Sequence, residues 1–283
     1  MLRPLGFTIK NRILVMSVLK VTYSQNTYCI EYGSSFVRLE FYFQQIIDLR
    51  TQKEVYVEVL TRMLNQSGEE LGNEEFFDSV GSDFIKTLSI IQLKYVRRKK
   101  LAIKPTINIT LSCLGDEDFV QTLHEFSALE YAIEVTPEEE SVDTQKVIEN
   151  IKQLKRSGIK VWLDDYDPEN KFMNATLGEI AWDRIKVESR IVQSYSSQPE
   201  VLSSFLFVLA PFVTQGIVFD GIENQRLMGA IASLNVLAQG DYYGRPQNWK
   251  SVQYSTQGAV NEPVQDSQCC PFLYSDVYSQ RVA

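Results

Sequence analysis

The residues best suited to chemistry in this chain are acidic, amide and lysine side chains at the ends of short β-branched runs. The runs TINIT, EYAIEV, IKVWLDD, DRIKVE and GIVFDG carry, at or near their ends, Asn108, Glu134, Asp164, Asp165, Lys186, Glu188 and Asp220. Carboxylate and amide oxygens are the ligands that hard divalent ions prefer. A lysine among them can offset the negative charge of a phosphate. The set therefore predicts metal-assisted chemistry on a phosphate ester.

Asp164 and Asp165 are adjacent in the stretch WLDDYDPENK. Two neighbouring carboxylates raise each other's pKa unless positive charge lies beside them. A pair of divalent cations would supply that charge, and ions about 3.5 to 4 Å apart are the arrangement used for in-line displacement at phosphorus. The aspartate pair therefore favours a two-metal site.

The elements that must position these residues follow a repeated pattern of strand, loop and helix. The strand ends lie roughly 20 to 32 residues apart, close to the roughly 30 residues per βα unit of an eightfold barrel of about 250 residues. In such a barrel the carboxyl ends of the strands open on one face, which would gather the seven residues around one mouth. The alternative is that each is merely solvated or caps the next helix. Five successive strands with ligand-type ends favour the shared mouth.

A helix between two of these strands is legible in DTQKVIENIKQLKRSG. Its apolar positions Val147, Ile148, Ile151 and Leu154 share one face, with a start at Asp143 or Thr144 and a stop at Gly158. This stripe would pack on the outside of a barrel. Upstream, EEFFDSVGSDFIKTLSIIQLKYV predicts one or two further helices.

Composition excludes several classes of function. The net charge is −8, and the longest basic cluster, KYVRRKKLAIK, reads as the solvated end of a helix, so we expect no nucleic-acid partner. The only histidine, His124, excludes an imidazole cage and leaves oxygen ligands for any metal. The four cysteines have no CxxC spacing, which favours a reduced, cytoplasmic chain. We find no stretch of membrane-spanning length and expect no membrane partner.

At this point the sequence resembles a known family, the bacterial EAL-domain proteins that hydrolyse or bind cyclic di-GMP. The resemblance covers roughly residues 38 to 247 and rests on ordered motifs. EVLTR fits E-x-L-x-R, INIT fits N-x-S/T, IEVT fits E-x-T, LDDY fits D-D-F, IKVE stands for K-x-D, FDGIEN for E-G-V-E, and QGDYYGRP fits Q-G-x-x-x-G-R-P. One such motif would be weak evidence, but the order and spacing of all of them together are specific to the family.

The resemblance implies an α/β fold, a modified TIM-type (βα)8 barrel whose first strand is antiparallel to the others. It also implies two Mg²⁺ or Mn²⁺ ions and hydrolysis of cyclic di-GMP to linear pGpG. The metal ligands would be Glu58, Asn108, Glu134, Asp164, Asp165 and Glu188. Catalysis would fall to Lys186, Asp220 and Asp164, and the substrate would be gripped by Gln44, Arg62 and Gln239.

Three departures from the family pattern fall within this site. Glu188 replaces an aspartate, Asp220 replaces a glutamate, and the glycine-rich loop expected after the aspartate pair reads YDPENKFMNATL, without glycine before Gly178. Displacing a reacting group by about 1 Å can cost on the order of a hundredfold in rate. Two functions therefore stay open: a slow phosphodiesterase, or a catalytically degenerate receptor or protein-interaction regulator.

We expect three segments along the chain. Residues 1–37 form an N-terminal extension, 38–247 the barrel, and 248–283 a polar tail with the neighbours Cys269 and Cys270. Cyclic di-GMP is the expected ligand, and a protein partner and a homodimer are both left open.

Overall fold

A computed structural model describes residues 7–9, 12–14, 19–24, 27–32, 35–71, 81–137 and 143–249 of the chain. Thirteen strands lie in these ranges. They are β1 (Phe7–Ile9), β2 (Arg12–Leu14), β3 (Lys20–Ser24), β4 (Thr27–Tyr32), β5 (Ser35–Asp48), β6 (Lys53–Leu64), β7 (Lys104–Thr110), β8 (Ala132–Thr136), β9 (Lys160–Tyr166), β10 (Arg184–Val187), β11 (Ile217–Phe219), β12 (Leu237–Gln239) and β13 (Gln247–Asn248).

Eight of these strands close into a barrel. The sheet runs in order from β5 to β12, and β12 pairs back onto β5. All neighbours from β6 to β12 are parallel, whereas β5 is antiparallel to both β6 and β12. A parallel strand needs a long crossover, but β5 and β6 are joined by a tight turn and must therefore be antiparallel. The predicted barrel with an antiparallel first strand is confirmed.

Helices follow the parallel strands on the outside of the barrel. They are α1 (Ser82–Lys99), α2 (Glu117–His124), α3 (Thr144–Arg156), α4 (Lys171–Thr176), α5 (Ser189–Ser194), α6 (Pro199–Leu209) and α7 (Gln225–Ile231), with 3₁₀ turns at Leu111–Gly115, Ser127–Leu129 and Ala210–Phe212. The start of α3 is as the sequence predicts, because the Asp143 side chain accepts a hydrogen bond from the Lys146 N–H. The basic cluster ends α1, whose last turn carries Arg97, Arg98 and Lys99.

The core has two layers, one on each face of the barrel sheet. Between strands and helices, fully buried side chains such as Val59, Leu93 and Ile151 form the larger layer. Inside the barrel a smaller layer fills the lower half; it consists of Ile46, Tyr56, Ala132, Trp162, Val218 and Leu237. The Tyr56 and Trp162 rings meet edge to face, 4.8 Å between centroids. This plug closes the barrel below the mouth at its carboxyl end.

Residues before the barrel extend its sheet. The antiparallel pair β3 and β4 continues from the first half of β5, and β13 pairs with β5 at Phe43 and Tyr42. The predicted boundary at residue 38 thus falls inside β5, and the one at 248 falls in β13. The three-segment division stays a proposal.

No helix among the described ranges is long and apolar enough to cross a bilayer. The segment EEFFDSVGSDFIKTLSIIQLKYV, predicted to form one or two helices, is helical from Ser82 onward, in α1. Residues 74–80 of that prediction, and Cys269 and Cys270, lie outside the described residues.

Glu54, at the start of β6, predicts a pH dependence unrelated to the mouth. Burial raises the pKa of Glu54 to about 7 from its ordinary 4.5, against the opposing effect of a hydrogen bond from Gln45. Because the folded pKa is the higher one, stability present below about pH 4.5 is lost as the pH rises through 7. The free energy of unfolding should therefore fall between pH 4.5 and 8, and we expect Glu54→Gln to make this fall smaller by about 2 kcal/mol. Urea unfolding at pH 4.5 and 8 measures it, and Glu149→Gln, an exposed change on α3, should leave the slope unaltered.

Candidate active site at the carboxyl-end mouth of the barrel

Each of the eight barrel strands contributes one polar side chain to the interior just above the apolar plug. In chain order this polar ring consists of Gln44, Glu58, Asn108, Glu134, Asp164, Lys186, Asp220 and Gln239. Several stand two residues from a member of the plug on the same strand, as Asp164 does from Trp162 and Glu58 from Tyr56. Side chains two apart on a strand share a face, so the plug and the ring are successive layers of one interior.

Glu58 is the most connected member of the ring. Its Oε1 accepts a hydrogen bond from Asn108 Nδ2 at 2.7 Å, and its Oε2 accepts from Lys186 Nζ at 3.0 Å and Gln239 Nε2 at 2.6 Å. Burial alone would raise the pKa of Glu58, but the ammonium of Lys186 and the two amide donors together lower it. The ring therefore holds this carboxylate ionised and fixed in orientation.

Lys186 lies at the centre of the acidic side of the ring. Its Nζ is 2.8 Å from Glu134 Oε2, 3.6 Å from Asp164 Oδ1 and 4.0 Å from Asp220 Oδ2, besides its bond to Glu58. Burial disfavours the charged amine, yet these carboxylates raise the pKa of Lys186 well above its ordinary value. One cation thus faces four carboxyl groups, and the excess is negative.

Three buried oxygens of the ring have no hydrogen-bond partner within the described residues. They are Glu134 Oε1, Asp164 Oδ1 and Gln239 Oε1. Burial raises the pKa of Glu134 well above its ordinary value and that of Asp164 above its own, with Lys186 opposing both shifts. Buried oxygens without a hydrogen-bond partner, in a ring with more carboxyl groups than ammonium groups, are suited to accept a cation.

The adjacent aspartates form a bulge in β9. Ile185 lies opposite Leu163 and Val187 opposite Tyr166, so the single residue Lys186 opposes both Asp164 and Asp165. Asp165 has φ of +50°, a left-handed conformation that aspartate tolerates better than most residues. Burial first, and then Asp164, raises the pKa of Asp165 well above its ordinary value. The bulge lets two consecutive residues present acid to one mouth, where a regular strand would turn one away.

Glu188 is held by a residue outside the predicted set. Both of its oxygens accept hydrogen bonds from Arg190: Oε1 accepts from Nε at 3.2 Å and Oε2 from NH2 at 3.2 Å. The same NH2 donates to Asp167 Oδ2 at 2.8 Å. The sequence signals this contact only by an arginine two residues after a predicted ligand, and that arginine lies outside the motif IKVE.

Asp220 follows β11, where the chain turns sharply. Its Oδ1 accepts from the Gly221 N–H at 2.7 Å. Burial raises the pKa of Asp220 to about 6, against the opposing effect of Lys186. Gly221 has φ of +71°, and a Cβ there would lie 2.1 Å from the Ser189 Cβ. The glycine of FDG is thus required for Asp220 to reach the mouth beside the start of α5.

The three predicted substrate-gripping residues have different surroundings. Gln239 is 1% exposed, and its Nε2 donates to Gln44 Oε1 at 3.1 Å as well as to Glu58. Gln44 in turn donates to the Gly244 carbonyl at 3.2 Å. Arg62 lies further along β6 and pairs with Glu70, 2.7 Å between NH2 and Oε2. The two glutamines therefore order Glu58 from within the ring, and Arg62 stands outside it.

Gly240 fixes the position of Gln239, which predicts a large effect on stability. Its φ is +145°, and a Cβ would lie 2.3 Å from the backbone N and O of Ile222. We expect Gly240→Ala to destabilise the protein by about 2 to 4 kcal/mol, from strain and displaced backbone. Gly229→Ala, in α7 with nothing within 4 Å, is the control and should be neutral or slightly stabilising. Urea midpoints of the two variants decide; equal midpoints would contradict the expectation.

The donor set fits a hard divalent cation. The predicted ligands are five carboxylates and the amide of Asn108, and two of the three buried oxygens without a hydrogen-bond partner, Glu134 Oε1 and Asp164 Oδ1, belong to them. Within the described ranges, however, no three histidine, cysteine, aspartate or glutamate side chains are arranged to hold an ion directly. Lys186 is the reason, because it draws the carboxylates onto its ammonium. Binding of a cation would therefore require those carboxylates to exchange the ammonium for the ion.

Comparison with known proteins agrees with this architecture. A family profile described as EAL domain matches residues 35–246. No curated protein matched the chain. Among solved structures, an EAL domain protein from Listeria monocytogenes EGD-e is 20% identical with a TM-score of 0.63, over 77% of this chain and 92% of that one.

Two further similar structures contain a ligand. A standalone EAL protein from Vibrio cholerae O395 in its c-di-GMP-bound form is 18% identical, TM-score 0.60, over 74% of this chain and 92% of that one. BlrP1 from Klebsiella pneumoniae, in a calcium and c-di-GMP complex, is 19% identical, TM-score 0.59, over 74% of this chain and 56% of that one. These TM-scores establish a shared fold, and the family profile spans most of the chain. The chain therefore belongs to the EAL-domain family.

Proposed function

We propose that this protein acts in cyclic di-GMP signalling as a phosphodiesterase that hydrolyses cyclic di-GMP slowly to linear pGpG with two divalent cations. The observation that carries the proposal is the polar ring, in which Lys186 faces four carboxyl groups and three buried oxygens have no hydrogen-bond partner among the described residues. Such a ring has the donors for two hard ions and a net negative charge that demands them. The c-di-GMP-bound relatives of the same fold support this choice of substrate.

Six residues would hold the ions: Glu58, Asn108, Glu134, Asp164, Asp165 and Glu188. The ions, Mg²⁺ or Mn²⁺, would polarise the phosphodiester and lower the pKa of the attacking water. Lys186, released from part of its carboxylate contacts, would orient that water or neutralise the phosphate. Asp220, whose pKa burial raises to about 6, can hold or give up a proton near neutral pH. Arg62 at the rim would reach the substrate only by leaving Glu70.

A second candidate function is a receptor that binds cyclic di-GMP, or a protein partner, without turnover. It is favoured by the contacts of Glu188, whose two oxygens are both engaged by Arg190. The segment after the aspartate pair also departs from the family's glycine-rich loop. Here Asn170 caps α4, and Asn174 bonds both Tyr166 OH and the Pro168 carbonyl. A loop fixed by these contacts is less able to close over a substrate.

Two assays on the purified protein separate the candidates. Calorimetric titration with cyclic di-GMP in Ca²⁺ measures binding, and product analysis in Mn²⁺ measures turnover. Binding with pGpG formation supports the phosphodiesterase, and binding without product supports the receptor. Absence of binding in Ca²⁺ together with absence of product in Mn²⁺ would overturn cyclic di-GMP as the ligand and direct attention to protein partners.

A further inference from the structure

Arg190 links two parts of the mouth that belong to different βα units. It lies on α5, two residues after Glu188, and its NH2 bridges Glu188 Oε2 and Asp167 Oδ2 at 3.2 and 2.8 Å. The Glu188 side chain is only 9% exposed, whereas that of Arg190 is 51% exposed. The arginine therefore covers a nearly buried carboxylate from the solvent side.

Each oxygen of Glu188 accepts one hydrogen bond from Arg190. Nε and NH2 of Arg190 each take one, in the paired arrangement that suits a guanidinium and a carboxylate. A divalent ion would need at least one of these oxygens. That oxygen would then lie between the ion and the guanidinium, two positive charges that repel each other, so ion and arginine compete for it.

A further contact strengthens the hold on this carboxylate. Asp167 Oδ2 accepts from the same guanidinium nitrogen as Glu188 Oε2, and Asp167 Oδ1 accepts from the Glu169 N–H at 2.8 Å. The arginine is thus anchored to the segment after β9, directly beyond the aspartate bulge. Displacing it from Glu188 costs less if Asp167 retains it, so the contact can exchange without loss of the fold.

We propose that Arg190 is a positioning residue that competes with a divalent cation for Glu188 and so lowers the metal affinity of the mouth. This inference rests on the proposed function, since it presumes that Glu188 is a ligand. It assigns the low turnover expected of this chain to a particular contact, in addition to the altered lengths of Glu188 and Asp220.

The test is calorimetric titration of the full chain with Mn²⁺ alone, without cyclic di-GMP. Arg190→Gln removes both the positive charge and the paired N–H donors of the guanidinium, whereas Arg190→Lys keeps the charge but loses the paired donors. We expect both to bind Mn²⁺ more tightly than wild type, Arg190→Gln by about tenfold and Arg190→Lys by about threefold. Arg245→Gln is the matched control, because it removes an exposed arginine that pairs with Asp241 at 2.9 Å and contacts no predicted ligand.

A double-mutant cycle shows whether Arg190 acts through Glu188. In a Glu188→Gln background, Arg190→Gln should change Mn²⁺ affinity by less than about twofold. Hydrogen exchange adds a readout that needs no metal. The amides of Glu169 and Asn170 bond to Asp167, so Arg190→Gln should speed their exchange.

The outcomes separate this proposal from the proposed function. If wild type binds Mn²⁺ and the Arg190 variants bind it equally, Arg190 does not compete and the inference is overturned. The same holds if Arg245→Gln raises affinity as much as Arg190→Gln, because the effect is then one of net charge. If no variant binds Mn²⁺ and wild type does not bind cyclic di-GMP, the proposed function fails and the competition with it.

Discussion

Lys186→Met is expected to lower the free energy of unfolding of the metal-free protein by about 3 to 5 kcal/mol at pH 7. The change removes the ammonium that contacts Glu58, Glu134 and Asp164, all of which are buried. Methionine has a similar length and flexibility, so little cavity results. The loss therefore reports buried acid left without its cation, and not poor packing.

The pH dependence identifies that cause. Without the ammonium, Glu134 and Asp164 would take up protons more readily, and a neutral carboxyl group costs less to bury. The destabilisation should consequently shrink when urea unfolding is repeated at pH 5. Lys86→Met is the matched control, since Lys86 is also buried but its partners Asp83 and Asp116 are 48% and 39% exposed. Equal losses of stability for both variants at both pH values would show that the buried carboxylates of the mouth do not depend on the Lys186 ammonium.

Much of the barrel and its mouth follows from local sequence patterns. β-branched runs with polar ends at regular spacing predict parallel strands, and alternation along each strand determines which side chains share the interior. The structure accordingly brings Glu134 and Asp164 to within 3.6 Å of Lys186. Asn108 joins them through Glu58, a residue that the family resemblance implied and the strand pattern did not. The antiparallel direction of β5 is a different matter, because it was implied by family resemblance and not by periodicity.

The remaining features depend on contacts that spacing does not encode. The bulge at Asp165 is a matter of register between β9 and β10, and one extra residue in a strand leaves no mark on composition. Arg62 pairs with Glu70 because the chain reverses after β6, with Leu64 bridged to Glu70. Arg190 was missed because a charged residue on a short helix is usually solvated. The two arginines have long side chains, and these meet their partners only once the backbone is folded.

Glu58→Ala is expected to reduce Mn²⁺ affinity and any hydrolysis by about a hundredfold or more. Loss of a group that only supports a metal ligand typically costs 10- to 100-fold, and loss of a ligand oxygen should exceed that. The structure adds a second reason, because Glu58 organises Asn108, Lys186 and Gln239 through three hydrogen bonds. Without it, three donors lose their common acceptor and the ring loses its order.

Two further substitutions separate the ligand from the organising role of Glu58. Glu58→Gln keeps the shape but turns an amide donor toward other donors, so it should be as damaging as alanine. Glu58→Asp keeps the charge with a shorter reach and should retain part of the Mn²⁺ affinity. Calorimetry and pGpG formation measure both, and Glu54→Gln, on the same strand outside the mouth, should match wild type in each assay. Wild-type titration and kinetics in Glu58→Ala would remove Glu58 from the site, and with it the ring as the place of chemistry.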